Sequence, residues 1–225
     1  MRIKAGKEAI IASLQRFQVG ESGEGNHLKK YAAATGDAEY CRAIEFFSAE
    51  ENYHAGMLAR ALEALNAPLL NSHWSDTAFI IIRRFSGLKM ELMTLLVAEL
   101  IAKRYYRVLH DATGDENLRA MCVQILRDEN AHVAFHCDTL QRAFSAYSPI
   151  KRALISFGWK RFYRLVCAVV AWDHRGVLRA SGRTFGEWMR ETNDVFEAAR
   201  TQIFAAREEW RFGYPVTEKQ RENPC

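Results

Sequence analysis

Two short segments of the chain pair a glutamate with a histidine at a spacing that suits metal binding. The segment "EENYH" (residues 50–54) carries Glu51 and His54, and "DENAH" (residues 128–132) carries Glu129 and His132. Positions i and i+3 of a helix are neighbours on one face, so each segment presents a carboxylate beside an imidazole. A single Glu-x-x-His is commonly a surface ion pair, whereas two copies favour a shared metal site.

The two segments belong to an internal repeat with an offset of 78 residues. Both copies open on the tetrapeptide "ATGD", and residues 34–54 share seven of 21 positions with residues 112–132. Unrelated sequences would share about one position in such a window, so the match indicates a true repeat. The repeat predicts two similar helical units that meet each other.

Glutamates at matched positions upstream enlarge the candidate site. Glu21 and Glu99 are also 78 residues apart, and each precedes its own Glu-x-x-His by 30 residues, whereas Glu24 and Glu91 have no such counterpart. Helical bundles that hold two metal ions take one Glu from each of two helices and Glu-x-x-His from the other two. The predicted metal ligands are therefore Glu21, Glu51, His54, Glu99, Glu129 and His132.

The charge and donor atoms of this set predict the metal. Four carboxylates and two neutral imidazoles are balanced by two divalent cations. Without cations, buried carboxylates would repel one another and lose their hydration. Oxygen and nitrogen donors without thiolate favour two iron ions, and manganese in one or both positions is the alternative.

Other acid–base side chains lie next to the predicted ligands. Glu50 and Asp128 each precede a predicted ligand glutamate. In related metal-binding bundles such an acid can hold the far ring nitrogen of the opposite histidine, and a solvated helix residue is the alternative. His136 follows His132 by four residues on the same face, and we predict it as the catalytic proton donor. A seventh ligand and simple packing beside the site are the alternatives for His136. Four tyrosines could carry a radical or donate a hydrogen bond near the site, and packing in the core is the alternative role: Tyr31, Tyr53, Tyr105 and Tyr106.

The elements that must position these residues are predicted to be helices. Apolar residues recur at helical spacing, and no segment has the period of a strand, so the chain is predicted to be all-α. The glycines of "GESGEG" (residues 20–25) weaken the first helix by about 1 kcal/mol each. Residues 66–85 are predicted to be a crossover. The predicted helices cover residues 7–33, 38–65, 86–111, 116–146, 150–179 and 184–211.

The composition is that of a globular protein in a reducing compartment. Five cysteines, an odd number without a C-x-x-C pair, disfavour a disulfide framework and a structural zinc site. The N-terminus does not read as a signal peptide, and the longest apolar run, residues 165–172, is too short to span a membrane. We therefore predict a cytoplasmic protein. The net charge of +4 is mild, and no nucleic-acid partner is expected.

The residues around the predicted ligands resemble the ferritin-like di-iron carboxylate superfamily over residues 7–146. "FQVGESGEGNHLKKY" is similar to the first helix of rubrerythrin, in which a Glu inside a Gly-Glu-Ser stretch is a ligand. "EENYH" and "DENAH" are similar to the paired motifs of acyl carrier protein desaturases. The resemblance implies a ferritin-like four-helix bundle, in two antiparallel pairs joined by a long crossover, that binds two irons and reacts with oxygen or peroxide. Residues 1–146 would form this bundle, and residues 147–225 would be a helical extension packed on it.

The predicted function is that of a di-iron oxygenase that hydroxylates or desaturates a small organic substrate. Its electron donor would be a separate protein, since the chain lacks the C-x-x-C pairs with which rubrerythrin builds its rubredoxin module. The alternatives are a peroxide-scavenging or iron-oxidising protein, a hydroxylase of a lipid-like quinone or a nucleic acid base, and a non-catalytic metal-binding bundle. The basic and apolar segment from 150 to 172 predicts a helix packed on the bundle or in a homodimer interface, with peripheral membrane contact as the alternative.

Overall fold

The structure is a computed structural model that describes residues 3–22, 25–84, 87–205, 210–211 and 214–215. Within these residues the predicted all-α class is confirmed, and the only strands are a paired β1 (Trp210–Arg211) and β2 (Tyr214–Pro215). The helices are α1 (Ile3–Glu21), α2 (Asn26–Thr35), α3 (Ala38–Ala64), α4 (Trp74–Arg84), α5 (Gly87–Ala112), α6 (Glu116–Phe144), α7 (Pro149–Asp173), α8 (Arg175–Ala180) and α9 (Phe185–Phe204).

The repeated "ATGD" tetrapeptide begins two long helices in the same way. The carboxylate of Asp37 accepts hydrogen bonds from two backbone N–H groups in the first turn of α3. Asp115 does the same for α6. Such N-caps satisfy donors that have no partner inside the helix. Because each Glu-x-x-His follows its cap by the same number of residues, both motifs lie about 20 Å along their helices.

The first predicted helix, over residues 7–33, is two helices in the structure. α1 ends at Glu21, α2 begins at Asn26, and Gly25 between them has a left-handed φ of 63°. A side chain at Gly25 would lie 2.5 Å from Ser48 Oγ, so α3 passes too close for any other residue. The prediction of one continuous helix is therefore wrong. The break leaves Glu21 at the last turn of α1.

Two helix pairs form the body of the fold. α1 packs against α3, and α5 packs against α6 in a hairpin joined by residues 113–115. Contacts between α3 and α6 bring the two pairs together. The core between them contains fully buried aliphatic side chains, among them Leu14, Leu58, Leu96 and Ile125. Burying each such side chain stabilises the fold by about 1.5–3 kcal/mol.

The connection between α3 and α5 contains a helix that the sequence analysis does not predict. Residues 66–85 are predicted only as a crossover, but α4 forms there and packs on α5. Its run Ile80, Ile81 and Ile82 consists of β-branched residues, which lose side-chain freedom in a helix. Packing against α5 therefore outweighs a weak local preference.

The C-terminal segment contains three helices where the sequence predicts two. The predicted helix over 150–179 is divided at His174, whose Nδ1 lies 2.6 Å from Ser13 Oγ on α1. α8 then approaches α1 so closely that a Cβ at Gly176 would lie 2.8 Å from Ala9 Cβ. α9 packs on α6 and ends at Phe204, short of the predicted 211. None of the helices in the described part of the chain has the length and apolar character to cross a membrane.

Candidate metal centre

The structure brings all six predicted ligand side chains together between α1, α3, α5 and α6. Five of them are buried, and the sixth, Glu51, keeps 18% of its side chain exposed. Their ligand atoms form two groups, and within each group all atoms lie within 4.8 Å of one another. The first group is Glu51, Glu99, Glu129 and His132, and the second is Glu21, His54 and Glu129.

Two carboxylates lie between the two imidazoles. Glu129 belongs to both groups, with Oε1 3.8 Å from His54 Nδ1 and Oε2 3.7 Å from His132 Nδ1. Glu51 Oε1 is 3.7 Å from the Nδ1 of His54 and 3.2 Å from that of His132. Glu21 and Glu99 each occur in only one group. This arrangement suits two metal positions that share Glu129 and Glu51.

Outer carboxylates fix the orientation of both histidines. His54 Nε2 lies 3.0 Å from Asp128 Oδ2, and His132 Nε2 lies 2.9 Å from Glu50 Oε2. This is the crossed pairing that the sequence predicts, in which each acid serves the histidine of the opposite motif. With the Nε2–H groups held by carboxylates, the Nδ1 atoms of both rings face the centre of the cluster.

Four polar atoms at this centre have no well-oriented hydrogen bond among the described residues, although Glu51 Oε1 and His132 Nδ1 lie 3.2 Å apart. A buried polar atom without a partner costs about 1–3 kcal/mol. A cation among these atoms would satisfy all four at once, and carboxylate and imidazole donors suit iron and manganese. The residues therefore fit a metal ion. The four atoms are Glu51 Oε1, His54 Nδ1, Glu129 Oε2 and His132 Nδ1.

The cluster binds protons in place of a cation. Burial raises the pKa of Glu21 well above its usual range, with Glu51 as the second cause, and burial also raises that of Glu129, with Glu99 second. For Glu99, burial acts in the same direction but the contacts with His132 and Glu129 outweigh it and lower its pKa to about 2. Burial opposes a charge on His132, yet the surrounding carboxylates raise its pKa. A metal ion must displace these protons to bind.

A buried tyrosine contacts the cluster from α5. Tyr106 donates a hydrogen bond of 2.8 Å to Glu21 Oε1, and burial raises the pKa of its hydroxyl well above the usual range. The sequence alone does not distinguish the role of Tyr106 from those of the three other candidate tyrosines. Its position seven residues after Glu99, two turns along the same helix face, is the signal that singles it out. Tyr53, by contrast, is 56% exposed.

His136, the predicted proton donor, is fully buried beside the cluster but belongs to neither ligand group. Its ring lies 5.0 Å from that of Phe47, centroid to centroid, and Phe47 also contacts His132. Neither ring nitrogen of His136 has a hydrogen-bond partner among the described residues. Burial lowers its pKa to about 4, so the imidazole is neutral at pH 7. Its catalytic role remains a prediction.

The structure also places the glutamates that the sequence analysis set aside. Glu91, although buried, lies 2.9 Å from His27 Nδ1 and is not in the cluster. Tyr31 packs against His27 with ring centroids 4.8 Å apart, so it too belongs to this separate contact. Glu24 lies outside the described residues. The repeat offset therefore selected the glutamates that converge.

A cavity of about 410 Å³ opens onto the carboxylates of the cluster. Glu21, Glu51, Glu99 and Glu129 of the cluster are part of its wall. The remaining wall is mainly apolar and includes Phe79 and Ile80 from α4. Apolar side chains of α1, α2, α3 and α5 complete it: Phe17, Val19, Leu28, Phe47 and Leu95. A space of this size and lining suits a small organic molecule.

No protein-family model, curated protein or solved structure matches the chain. The ferritin-like resemblance therefore depends on the paired motifs, the repeat and the convergence of the six side chains. The structure adds that this buried group of carboxylates and imidazoles can hold a metal ion.

Proposed function

We propose that this chain has a ferritin-like fold and is a di-iron oxidoreductase that uses oxygen to hydroxylate or desaturate an apolar organic substrate. The observation that carries the proposal is the cavity of about 410 Å³ whose wall combines four cluster carboxylates with mainly apolar side chains. A cavity of this size and lining favours an organic substrate over peroxide or ferrous ions alone. The helix pairs α1/α3 and α5/α6, with α4 in the connection, support the ferritin-like assignment.

The residues that would hold the two irons follow from the distances. Glu21 and His54 would bind one ion, Glu99 and His132 the other, and Glu129 and Glu51 would bind both. Four carboxylates compensate the charge of two divalent cations. When bound, the iron pair supplies the redox chemistry that couples oxygen reduction to oxidation of a C–H bond.

The electron balance requires a partner protein. Insertion of one oxygen atom from O2 into a C–H bond, with the second atom released as water, consumes two electrons and two protons from outside. The four cysteines in the described part of the chain, Cys41, Cys122, Cys137 and Cys167, are unpaired thiols, and three of them are buried. These thiols form no redox cluster, so the two electrons come from a separate donor.

The protein's own residues orient the site. Asp128 and Glu50 keep the imidazoles in the tautomer that binds through Nδ1. Tyr106 fixes the position of the Glu21 carboxylate through its 2.8 Å hydrogen bond to Oε1. His136, neutral and buried next to the cluster, is placed to hold a proton close to the reacting atoms. The apolar cavity wall positions a substrate without competing for the metals.

The first test combines metal loading with product analysis. The protein is loaded with Fe(II) without oxygen, its iron content is measured, and ¹⁸O₂ is added with a chemical reductant and fractions of small apolar metabolites. We expect two irons per chain and a product that gains one ¹⁸O atom or loses two hydrogens. Oxygen or peroxide consumption without any organic product would favour the scavenging alternative. No reaction with oxygen or peroxide would leave a metal-binding bundle.

The second test fills the cavity. Ala98→Trp places an indole in the cavity wall next to Glu99 without removing a ligand. It should retain two irons and lose at least tenfold in organic product, because the substrate loses its space. Ala120→Trp, on an exposed position of α6, is the matched control and should behave as the wild type. An Ala98→Trp protein that makes product at the full rate would contradict the role of the cavity.

A further inference from the structure

One side of α7 exposes large apolar side chains to solvent along its whole length. Successive residues of a helix are 100° apart, so these side chains fall within an arc of about 80°. The opposite side of α7 buries Trp159, Tyr163 and Cys167 against the rest of the protein. The exposed set, named here the α7 stripe, is Ile150, Leu154, Phe157, Leu165 and Trp172, each at least 61% exposed.

Two exposed arginines of α7 accompany the apolar side chains of the stripe. α7 contains five lysines and arginines, and no acidic residue precedes Asp173 at its end. Arg161 lies within the stripe, 5.0 Å above the ring of Phe157, and Arg164 is exposed next to it. Lys160 pairs with Glu197 of α9, whereas Arg161 and Arg164 form no ion pair with any described residue. The apolar surface is thus accompanied by two positive charges that no acidic side chain in the described part of the chain pairs with.

We propose that the α7 stripe docks this protein on an anionic lipid membrane, with α7 lying in the plane of the interface. Apolar side chains on one face of a helix enter the boundary between headgroups and acyl chains, while arginines at its margin bind lipid phosphates. The stripe spans residues 150–172 of one helix, about 33 Å, so its five side chains can all contact one planar surface.

Charge argues against a second copy of the chain as the occupant. If two α7 helices packed through their stripes, Arg161 and Arg164 of each copy would meet the same positive charges, with no acidic residue of α7 before Asp173 to compensate. Like charges brought together in an interface are destabilising. An anionic bilayer satisfies the apolar and the basic component of the stripe together.

The experiment is co-sedimentation of the full chain with vesicles. Vesicles of phosphatidylcholine containing about 30% phosphatidylglycerol are compared with phosphatidylcholine alone at 50 mM and 500 mM NaCl. We expect binding to the anionic vesicles that weakens with salt, because Coulomb attraction is screened. Phe157→Gln should weaken binding about tenfold, and Arg161→Gln or Arg164→Gln about fivefold each.

Matched variants on other surfaces control for general effects. Phe46→Gln replaces a phenylalanine that is 71% exposed on α3, and Arg127→Gln removes one exposed charge from α6. Both should bind vesicles as the wild type does, and unchanged circular dichroism would show that all variants fold. Absent binding to anionic vesicles, or equal losses in stripe and control variants, would overturn the proposal. So would a lipid-free dimer that Phe157→Gln dissociates, since the stripe would then join two copies. Metal content does not enter any of these measurements.

Discussion

Replacing Glu129 by glutamine should have opposite effects on the metal-free and the metal-loaded protein. Glu129 is 1% exposed, and its two carboxylate oxygens face the Nδ1 atoms of both histidines at 3.8 and 3.7 Å. It is thus the side chain best placed to bind both ions. The same carboxylate has a raised pKa, chiefly because it is buried and secondly because Glu99 is near.

The free energy of unfolding should change in opposite directions in the metal-free and the metal-loaded protein. A carboxyl group with a raised folded-state pKa destabilises the protein as the pH rises above its unfolded value of about 4.3. A glutamine of nearly equal volume has no charged form and avoids this cost, which is about 1.4 kcal/mol for each pH unit between the unfolded and the folded pKa. Metal-free Glu129→Gln at pH 8 should therefore melt at least about 2 °C above the metal-free wild type. In the wild type, each ion present at 100 times its dissociation constant raises the free energy of unfolding by about 2.7 kcal/mol. This corresponds to a rise of roughly 5–11 °C in the melting temperature.

Differential scanning calorimetry and metal analysis at pH 8 test both effects, the higher stability of the metal-free variant and its loss of metal binding. The wild type should bind two ions and gain stability, whereas Glu129→Gln should bind fewer than one and gain little. Glu91→Gln is the matched control, because it changes another buried glutamate, one that pairs with His27 outside the cluster. It should retain two ions. A Glu129→Gln protein that retains two ions would refute the bridging assignment. One that is less stable than the wild type when metal-free would refute the argument from the raised pKa of Glu129.

Three further predictions concern the same centre. Metal affinity should rise by at least tenfold from pH 5.5 to pH 7.5 in competition titrations, because the raised pKa values of Glu21 and Glu129 keep protons that the metal must displace; a flat profile would contradict this. Asp128→Asn removes the carboxylate that holds His54 Nε2 and should weaken metal binding 10- to 100-fold in the same titrations. Tyr106→Phe leaves Glu21 without its donor and should lower the free energy of unfolding of the metal-free protein by about 1–3 kcal/mol in urea, with two ions still bound. Equal stability of Tyr106→Phe and the wild type would show that this hydrogen bond contributes nothing.

The sequence by itself predicted the six candidate ligands and the helices that carry most of them. Two Glu-x-x-His motifs and two upstream glutamates at one common offset suffice, because neighbours on a helix face follow from local periodicity. The "ATGD" caps are equally local, since Asp37 and Asp115 bond only to their own first turns. The repeat matched Glu50 with Asp128, and their crossed pairing with the opposite histidines is the one expected by analogy with related bundles.

Only the tertiary structure decided the features that depend on contacts between distant segments. The first helix is interrupted where Ser48 of α3 approaches Gly25, and α4 forms because it packs on α5 despite its β-branched run. The apolar cavity requires walls from α1, α2, α3, α4 and α5 at once. That Glu129 faces both imidazoles, and that the α7 stripe faces solvent, likewise depend on how helices pack. Local periodicity orders side chains around one helix, but only packing determines what each face meets.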